Sequence, residues 1–326
     1  MRVTIADVAR QAGVSKTTVS RVLNAGAEVD AGTAARVREV IAGLGYVPSS
    51  GAVGLARGSS RIIGMLTPSL TWPWMGEVLQ GVVDTVETAG YGLLLFTCNR
   101  GADSVAHFAA QVSARAFDGL LVVEPENTLD TITAMHRRGL PVVMIDDRGH
   151  HPLFPSVATT NRAGGASAAA HLLASGRTRP LVVTGRRDFG CVRERLAGFR
   201  EVMPTDLVIA GEFTEDTGRS AVEQALARGW DFDCVVAHND LIAAGALRSL
   251  RAGGRVVPDD VAVVGFDDIP MARHTEPPLT TVRQPMRRMG ETAAGMLLAA
   301  LAGEPVPVEP VVLPTELVVR SSAPAR

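Results

Sequence analysis

Between Arg61 and Gly265 the chain repeats one unit, a short apolar run followed by a longer stretch of helical spacing. Ile62-Ile63-Gly64-Met65-Leu66, Leu93-Leu94-Leu95-Phe96, Gly119-Leu120-Leu121-Val122-Val123 and Pro141-Val142-Val143-Met144-Ile145 read as strands. Helices are expected between them, over Met75 to Ala89 with Gly90 closing, Val105 to Arg115, and Thr131 to Arg138. The runs do not alternate polar with apolar, so each strand is buried on both faces, as in a parallel sheet covered by helices. The series begins again with Pro180-Leu181-Val182-Val183-Thr184, Asp206-Leu207-Val208-Ile209, Cys234-Val235-Val236-Ala237 and Val261-Ala262-Val263-Val264-Gly265. Two doubly wound α/β sheets in tandem best explain this count. At 326 residues the chain is long enough for both cores and one smaller module.

That module is at the N-terminus. Ile5, Val8, Ala9 and Ala12 repeat at helical spacing after Thr4, a candidate N-cap, with Asp7 in the first turn near the positive end of the helix dipole. Gly13 permits a sharp turn. Ser15 can cap a second helix whose buried face is Val19, Val22 and Leu23. The opposite face shows Lys16 (the only lysine in the chain), Thr17, Ser20 and Arg21. Donors and small hydroxyls at the start of a helix suit major-groove readout, while a solvated polar face is the plain alternative. A third helix is expected from about Ala31 to Leu44, with Asp30 as N-cap, a stripe of Val37, Val40, Ile41 and Leu44, and Gly45 as its end. Ser49 to Ser60 is rich in Gly, Ala and Ser and reads as a linker.

The run Thr4-Ile5-Ala6-Asp7-Val8-Ala9, Gly13-Val14-Ser15 and Thr18-Val19-Ser20-Arg21-Val22-Leu23-Asn24 resembles the helix-turn-helix of the lactose-repressor/galactose-repressor family of bacterial transcription regulators. Gly45-Tyr46-Val47-Pro48, Pro277-Pro278-Leu279-Thr280-Thr281-Val282 and Leu313-Pro314-Thr315-Glu316-Leu317 extend the resemblance over nearly the whole chain. It implies a helix-turn-helix domain over 1–47, a hinge helix over 48–60, and a two-lobed periplasmic-binding-protein-like core over 61–326. One lobe would hold about 61–157 and 286–312, the other about 158–284 and 313–326. The family's base-reading positions fall on Lys16, Thr17 and Arg21, with Thr4, Ser15, Thr18, Ser20 and Asn24 completing the expected DNA contacts. Leu55, beside Ala56, would be the apolar wedge that a hinge helix presents to the minor groove. Gly51 and Gly54 fall inside that segment, each costing roughly 1 kcal/mol in helix relative to alanine. The expected partners are palindromic double-stranded operator DNA, a second copy of the chain in a homodimer, and a small-molecule effector, with a sugar favoured and a purine corepressor as the alternative.

Charge is consistent with this division. The chain carries a net −2, but residues 1–58 hold seven basic and four acidic side chains, a net +3, which leaves −5 on the remainder. A basic module on an acidic body localises phosphate attraction to one end. Cys98, Cys191 and Cys234 are far apart and odd in number, so buried small hydrophobes are expected, not a disulfide framework or a thiolate metal site. His150-His151 reads as a solvated loop pair; no metal and no cofactor are expected. There is no signal segment and no bilayer-length apolar run, which points to the cytoplasm and away from an exported sugar receptor or a membrane partner. A dehydrogenase or other α/β enzyme would need a Gly-x-Gly-x-x-Gly turn after a strand or a nucleophile with a partnered base, and neither is found.

Ligands in open α/β sheets sit at the carboxyl ends of strands. Asp146 follows Ile145, Asn239 follows Ala237-His238, and Asp267 follows Phe266. By the resemblance, Arg195 in Glu194-Arg195-Leu196-Ala197-Gly198 points into the cleft, and Asn161 and Phe189 are weaker candidates. Carboxylates, an amide and a guanidinium together can bond adjacent hydroxyls. Each also has a structural reading: Asp146, Asp267 and Asn239 as helix caps, Arg195 as an inter-helix ion pair. Aromatics are only 4% of the chain, yet two of its three tryptophans sit in Trp72-Pro73-Trp74, after the first core strand. Trp72 and Trp74 could stack on a sugar ring or planar base, or simply pack between lobes.

Overall fold

The computed structural model describes residues 3–23, 29–47, 59–98, 100–113, 116–124, 128–146 and 153–325. Asn24, the hinge positions Gly51, Gly54, Leu55 and Ala56, and the His150-His151 pair lie outside the described residues.

The N-terminal module is three helices, α1 (Ile5–Ala12), α2 (Lys16–Leu23) and α3 (Ala31–Leu44). The Thr4 backbone N–H and hydroxyl both donate to Asp7 Oδ2, at 3.0 and 2.7 Å, so the Asp7 side chain reaches back to tie down the start of α1. Gly13 takes φ 68°, the left-handed turn that separates α1 from α2. Val8, Ala9 and Ala12 of α1, Val19 and Val22 of α2, and Ala34 and Val37 of α3 form one small core. Arg36 Nε donates to the Ala12 carbonyl at 3.1 Å, satisfying a terminal acceptor of α1 from α3.

The remainder contains two sheets, each of six strands among the described residues. The first contains β1 (Ile62–Thr67), β2 (Gly92–Thr97), β3 (Gly119–Val123), β4 (Val142–Ile145), β5 (Ser156–Thr159) and β11 (Val311–Leu313), in the order β11-β5-β4-β3-β1-β2, all parallel. The second contains β6 (Pro180–Thr184), β7 (Val208–Ala210), β8 (Cys234–Ala237), β9 (Ala262–Asp267), β10 (Thr280–Arg283) and β12 (Glu316–Val318), in the order β12-β10-β9-β8-β6-β7. Its edge strand β12 runs antiparallel to β10 and is the one departure from a wholly parallel arrangement. Both sheets reverse their winding beside the first strand, which opens a crevice at the strands' carboxyl ends.

Helices α4 (Met75–Thr88) and α11 (Met286–Leu301) cover one face of the first sheet, burying Met75, Val78, Met289 and Leu297 against Ile63, Leu121 and Val143. The other face buries Leu120, Val122 and Met144 against Phe108 of α5 (Ala102–Ser113) and Ile132 and Met135 of α6 (Leu129–His136). Alternate residues of one strand thus feed opposite cores. The second sheet is covered likewise by α7 (Asn161–Ala174) with α8 (Gly190–Val202), and by α9 (Glu215–Ala227) with α10 (Asp240–Ala252). No helix among the described residues is long and apolar enough to cross a membrane.

Element ends differ from expectation in places. Helix α5 begins at Ala102, three residues early, after Gly101 turns the chain at φ 57°. Strand β9 continues past Gly265 because Phe266 and Asp267 pair with Val282 and Arg283. The Asp118 carboxylate accepts from Ser59 Oγ at 2.6 Å, Ser60 N at 2.7 Å and Arg61 N at 2.9 Å, which anchors the chain as it enters β1.

Candidate effector cleft and DNA-facing helix

The cleft between the two sheets has about 450 Å³ of free space, part of it open to solvent. Its position follows from register. Val123 and Ile145 are the last paired residues of β3 and β4, so Glu124 and Asp146, which follow them, emerge side by side. Adjacent strands are only about 4.8 Å apart. On α8, Cys191 and Arg195 are one turn apart and share the face that lines the cleft. Asn239 caps α10, its Oδ1 accepting from Ile242 N at 2.8 Å, and turns its remaining surface to the cleft. Asp267 ends β9 with φ 112°, a conformation rare outside glycine.

Seven of the eight expected residues line this cleft: Trp72, Trp74, Asp146, Phe189, Arg195, Asn239 and Asp267. Asn161 is one step behind, its Oδ1 accepting from Arg195 Nε at 2.8 Å. The cap reading of Asn239 holds together with its place in the cleft. Arg195 Nη1 donates to the His238 carbonyl at 2.7 Å, lies 3.8 Å from Asp267 Oδ1, and its guanidinium sits 3.7 Å over the Phe266 ring. The aromatic wall crosses the cleft: Trp72 stacks on Trp74 at 6.0 Å and meets Phe189 edge-on at 6.4 Å, and Phe189 meets Phe213 at 5.3 Å.

Glu124, Cys191, Phe213 and Gln284 also line the cleft and were not anticipated. The strand-end rule that found Asp146 applies equally to Glu124. Cys191 could have been found by counting one helical turn back from Arg195. Gln284 Nε2 donates to Asp267 Oδ1 at 2.7 Å, and its Oε1 accepts from Thr159 Oγ1 of β5 at 2.8 Å. A buried chain of hydrogen bonds therefore runs from the first sheet through Gln284 to Asp267.

Burial dominates the electrostatics. It pushes the Asp267 carboxyl up to about 6, opposed by Arg195 and by the Gln284 amide. Behind it, burial and the Asp267 charge push the Asp240 carboxyl well up. Its Oδ1 lies 2.5 Å from Thr281 Oγ1, and its Oδ2 accepts from Ile269 N at 2.8 Å. Burial, reinforced by Asp146, pushes the Cys191 thiol up, which keeps it neutral.

On the N-terminal module, Lys16, Thr17 and Arg21 are exposed on one side of α2, and Ser20 is half-buried beside them. Ser15 Oγ accepts from Thr18 N at 3.1 Å and lies 2.9 Å from Thr18 Oγ1, so these two side chains build the helix start. The Thr4 hydroxyl is similarly engaged with Asp7.

A helix-turn-helix module together with a two-lobed core of two α/β sheets is the architecture of a DNA-binding transcriptional regulator. Residues 4–49 match the family model for bacterial regulatory proteins of the lacI family, and residues 169–323 match that for a periplasmic binding protein-like domain. The HTH-type transcriptional regulator reg1 of Streptomyces lividans is 34% identical over 340 aligned positions, covering 99% of this chain and 97% of that protein. A lac repressor dimer bound to operator and the anti-inducer ONPF superposes with a TM-score of 0.90 at 27% identity, covering all of both chains. The complex of the transcriptional regulator CelR with cellobiose superposes with a TM-score of 0.73 at 32% identity, covering 98% of this chain and all of that one. The chain belongs to the LacI family of bacterial transcriptional regulators.

Proposed function

We propose that this protein is an operator-binding repressor, active as a homodimer in the cytoplasm, whose DNA affinity is set by a sugar held in the cleft. The observation that carries this reading is the cleft itself, where Arg195, Asn239 and Asp267 of one lobe face Trp72, Trp74 and Asp146 of the other. Fixed donors and acceptors beside aromatic faces suit a hydroxylated ring, whose C–H face stacks while its hydroxyls bond. The neighbouring complexes, one with operator and one with cellobiose, support DNA and sugar as partners. Two-fold symmetry in the protein would match a palindromic site. Because the ligand touches both lobes, it favours one closure angle, and linkage passes that preference to the DNA-binding end. A coupling of about 1–3 kcal/mol gives about 5–150-fold control.

The test is selection from a random duplex library with the full-length protein, followed by gel shifts. A palindromic duplex should emerge, and Arg21→Ala should weaken its binding about tenfold or more, the scale of one lost base contact. If no duplex outcompetes random DNA, or Arg21→Ala leaves the selected duplex bound as before in a folded protein, the regulatory reading fails.

A further inference from the structure

The lining of the cleft divides by contact into two sets. One is polar and bonded together: Gln284 to Asp267, Asp267 beside Arg195, and Arg195 to Asn161 and the His238 carbonyl. The other is aromatic and continuous. Trp74, Trp72, Phe189 and Phe213 touch in that order, with ring centroids 6.0, 6.4 and 5.3 Å apart. This track starts on the first lobe and ends on the second, where a Cβ on Gly185 would come within 2.3 Å of the Phe213 ring. The absence of a side chain just past the end of β6 is what seats that ring. Trp72, Trp74 and Phe213 are half-buried, so apolar surface remains for a ligand. A single pyranose bonds around its rim and stacks through a C–H face, which occupies the polar set and the nearest ring but not the whole track. A second sugar ring on the track would bring further hydroxyls, each with a proton to donate. Indole is a donor only and phenyl is neither donor nor acceptor, so these four side chains accept nothing. Hydroxyls buried without a partner oppose binding. A flat apolar group buries its area there without that cost, and meets the rings offset or edge-on.

This step rests on the reading of the cleft as the effector site. We propose that the effector is an aryl glycoside, a sugar whose anomeric oxygen carries an aromatic ring. The sugar bonds to Arg195, Asn239 and Asp267, and the aglycone lies along the track of Trp74, Trp72, Phe189 and Phe213. The aglycone touches both lobes, because the track does, and it distinguishes this effector from the free sugar and from a disaccharide.

The experiment is a thermal-shift and calorimetric titration of the full chain with methyl and phenyl glycosides in matched pairs, of β-glucose, α-glucose, β-galactose and β-xylose. Cellobiose, lactose, phenol and adenosine are further arms. At least one phenyl glycoside should bind about tenfold or more tightly than its methyl partner, the scale of burying one phenyl ring. Trp72→Ala and Phe213→Ala should each bring that ratio toward one. Circular dichroism checks that each variant is folded, and if one does not fold the other decides. A ratio near one in the unaltered chain, a disaccharide that binds more tightly than every phenyl glycoside, or a ratio left unchanged by the folded variants overturns the proposal and leaves the sugar reading standing. Phenol that binds as tightly as its glycoside also overturns it. No response to any carbohydrate, with or without a response to adenosine, counts against both readings.

Discussion

Asp267 shows how one residue can hold strain, burial and ligand chemistry together. Its backbone sits at φ 112°, and Glu124, Asp146 and Asp268 take φ 47°, 53° and 57°. Non-glycine residues in that region cost on the order of 1 kcal/mol or more and persist where packing over-determines them. All four lie at or beside strand ends. Asp268 shows what the packing supplies, since its carboxylate meets Arg283 at 2.8 Å and Arg320 at 2.6 Å. For Asp267 the folded carboxyl titrates near 6, whereas an unfolded aspartate titrates near ~3.9. The raised folded value means the native state holds this proton more tightly than the unfolded chain. Its stabilising contribution is thus complete below about pH 4 and is lost as pH rises through 6. Asp267→Asn removes the buried charge and keeps an acceptor for Gln284. It should raise the melting temperature at pH 7.5, with the gain shrinking toward pH 4, and should cost about tenfold or more in effector affinity; calorimetry at the two pH values reads both. Asp146, Asn239 and Asp267 were legible because strand ends are where α/β sheets bind. Phe213 carried no such signal, because its place depends on the turn before α9.

At the scale of elements, helices set the cleft. Helix α7 packs on α8 so closely that a Cβ on Gly198 would overlap the Arg162 carbonyl, and one on Gly165 would overlap the Arg195 carbonyl. Each glycine thus admits the backbone of the other helix, and the second contact fixes the residue that carries the cleft's guanidinium. In an exposed helix, glycine to alanine gains about 1 kcal/mol. Here Gly198→Ala should instead lose about 1–3 kcal/mol, as overpacking does, and urea unfolding gives the sign directly. Strand and helix identity was legible because the apolar runs are long enough to show their period. Strands β11 and β12, three residues each, were not marked as strands, since Val311-Val312-Leu313 and Glu316-Leu317-Val318 are too short to display one. The antiparallel edge arises because the chain leaves the first sheet at the carboxyl end of β11 and enters the second sheet at the end where β10 finishes, with Thr315 N donating to Thr160 Oγ1 at 2.8 Å on the way. That pairing joins residues 155 positions apart, which local pattern cannot reveal.

Across the whole molecule, the chain passes between the sheets after β5, after β10 and after β11, and the cleft is hydrogen-bonded to these passages. Thr159 and Gln284 join two of them to Asp267, and Asn161 joins Arg195 to the first. Thr159 is buried outside the cleft lining, so Thr159→Val keeps its shape while breaking the link to Gln284. It should reduce the ratio of operator affinities measured with and without a bound sugar more than it reduces sugar affinity itself; an unchanged ratio would show that closure is transmitted elsewhere. The same topology governs synthesis. Strand β11 completes the first sheet and β12 the second, and Ser322 then locks β9 to β10, its hydroxyl donating to Val263 O at 2.6 Å and accepting from Thr280 N at 2.8 Å. A ribosome that has made 310 residues has therefore finished neither lobe, and both wait on the segment from Val311 to Ser322. Ending the message before that segment would leave an open edge in each sheet at once, so neither lobe would be complete ahead of the other.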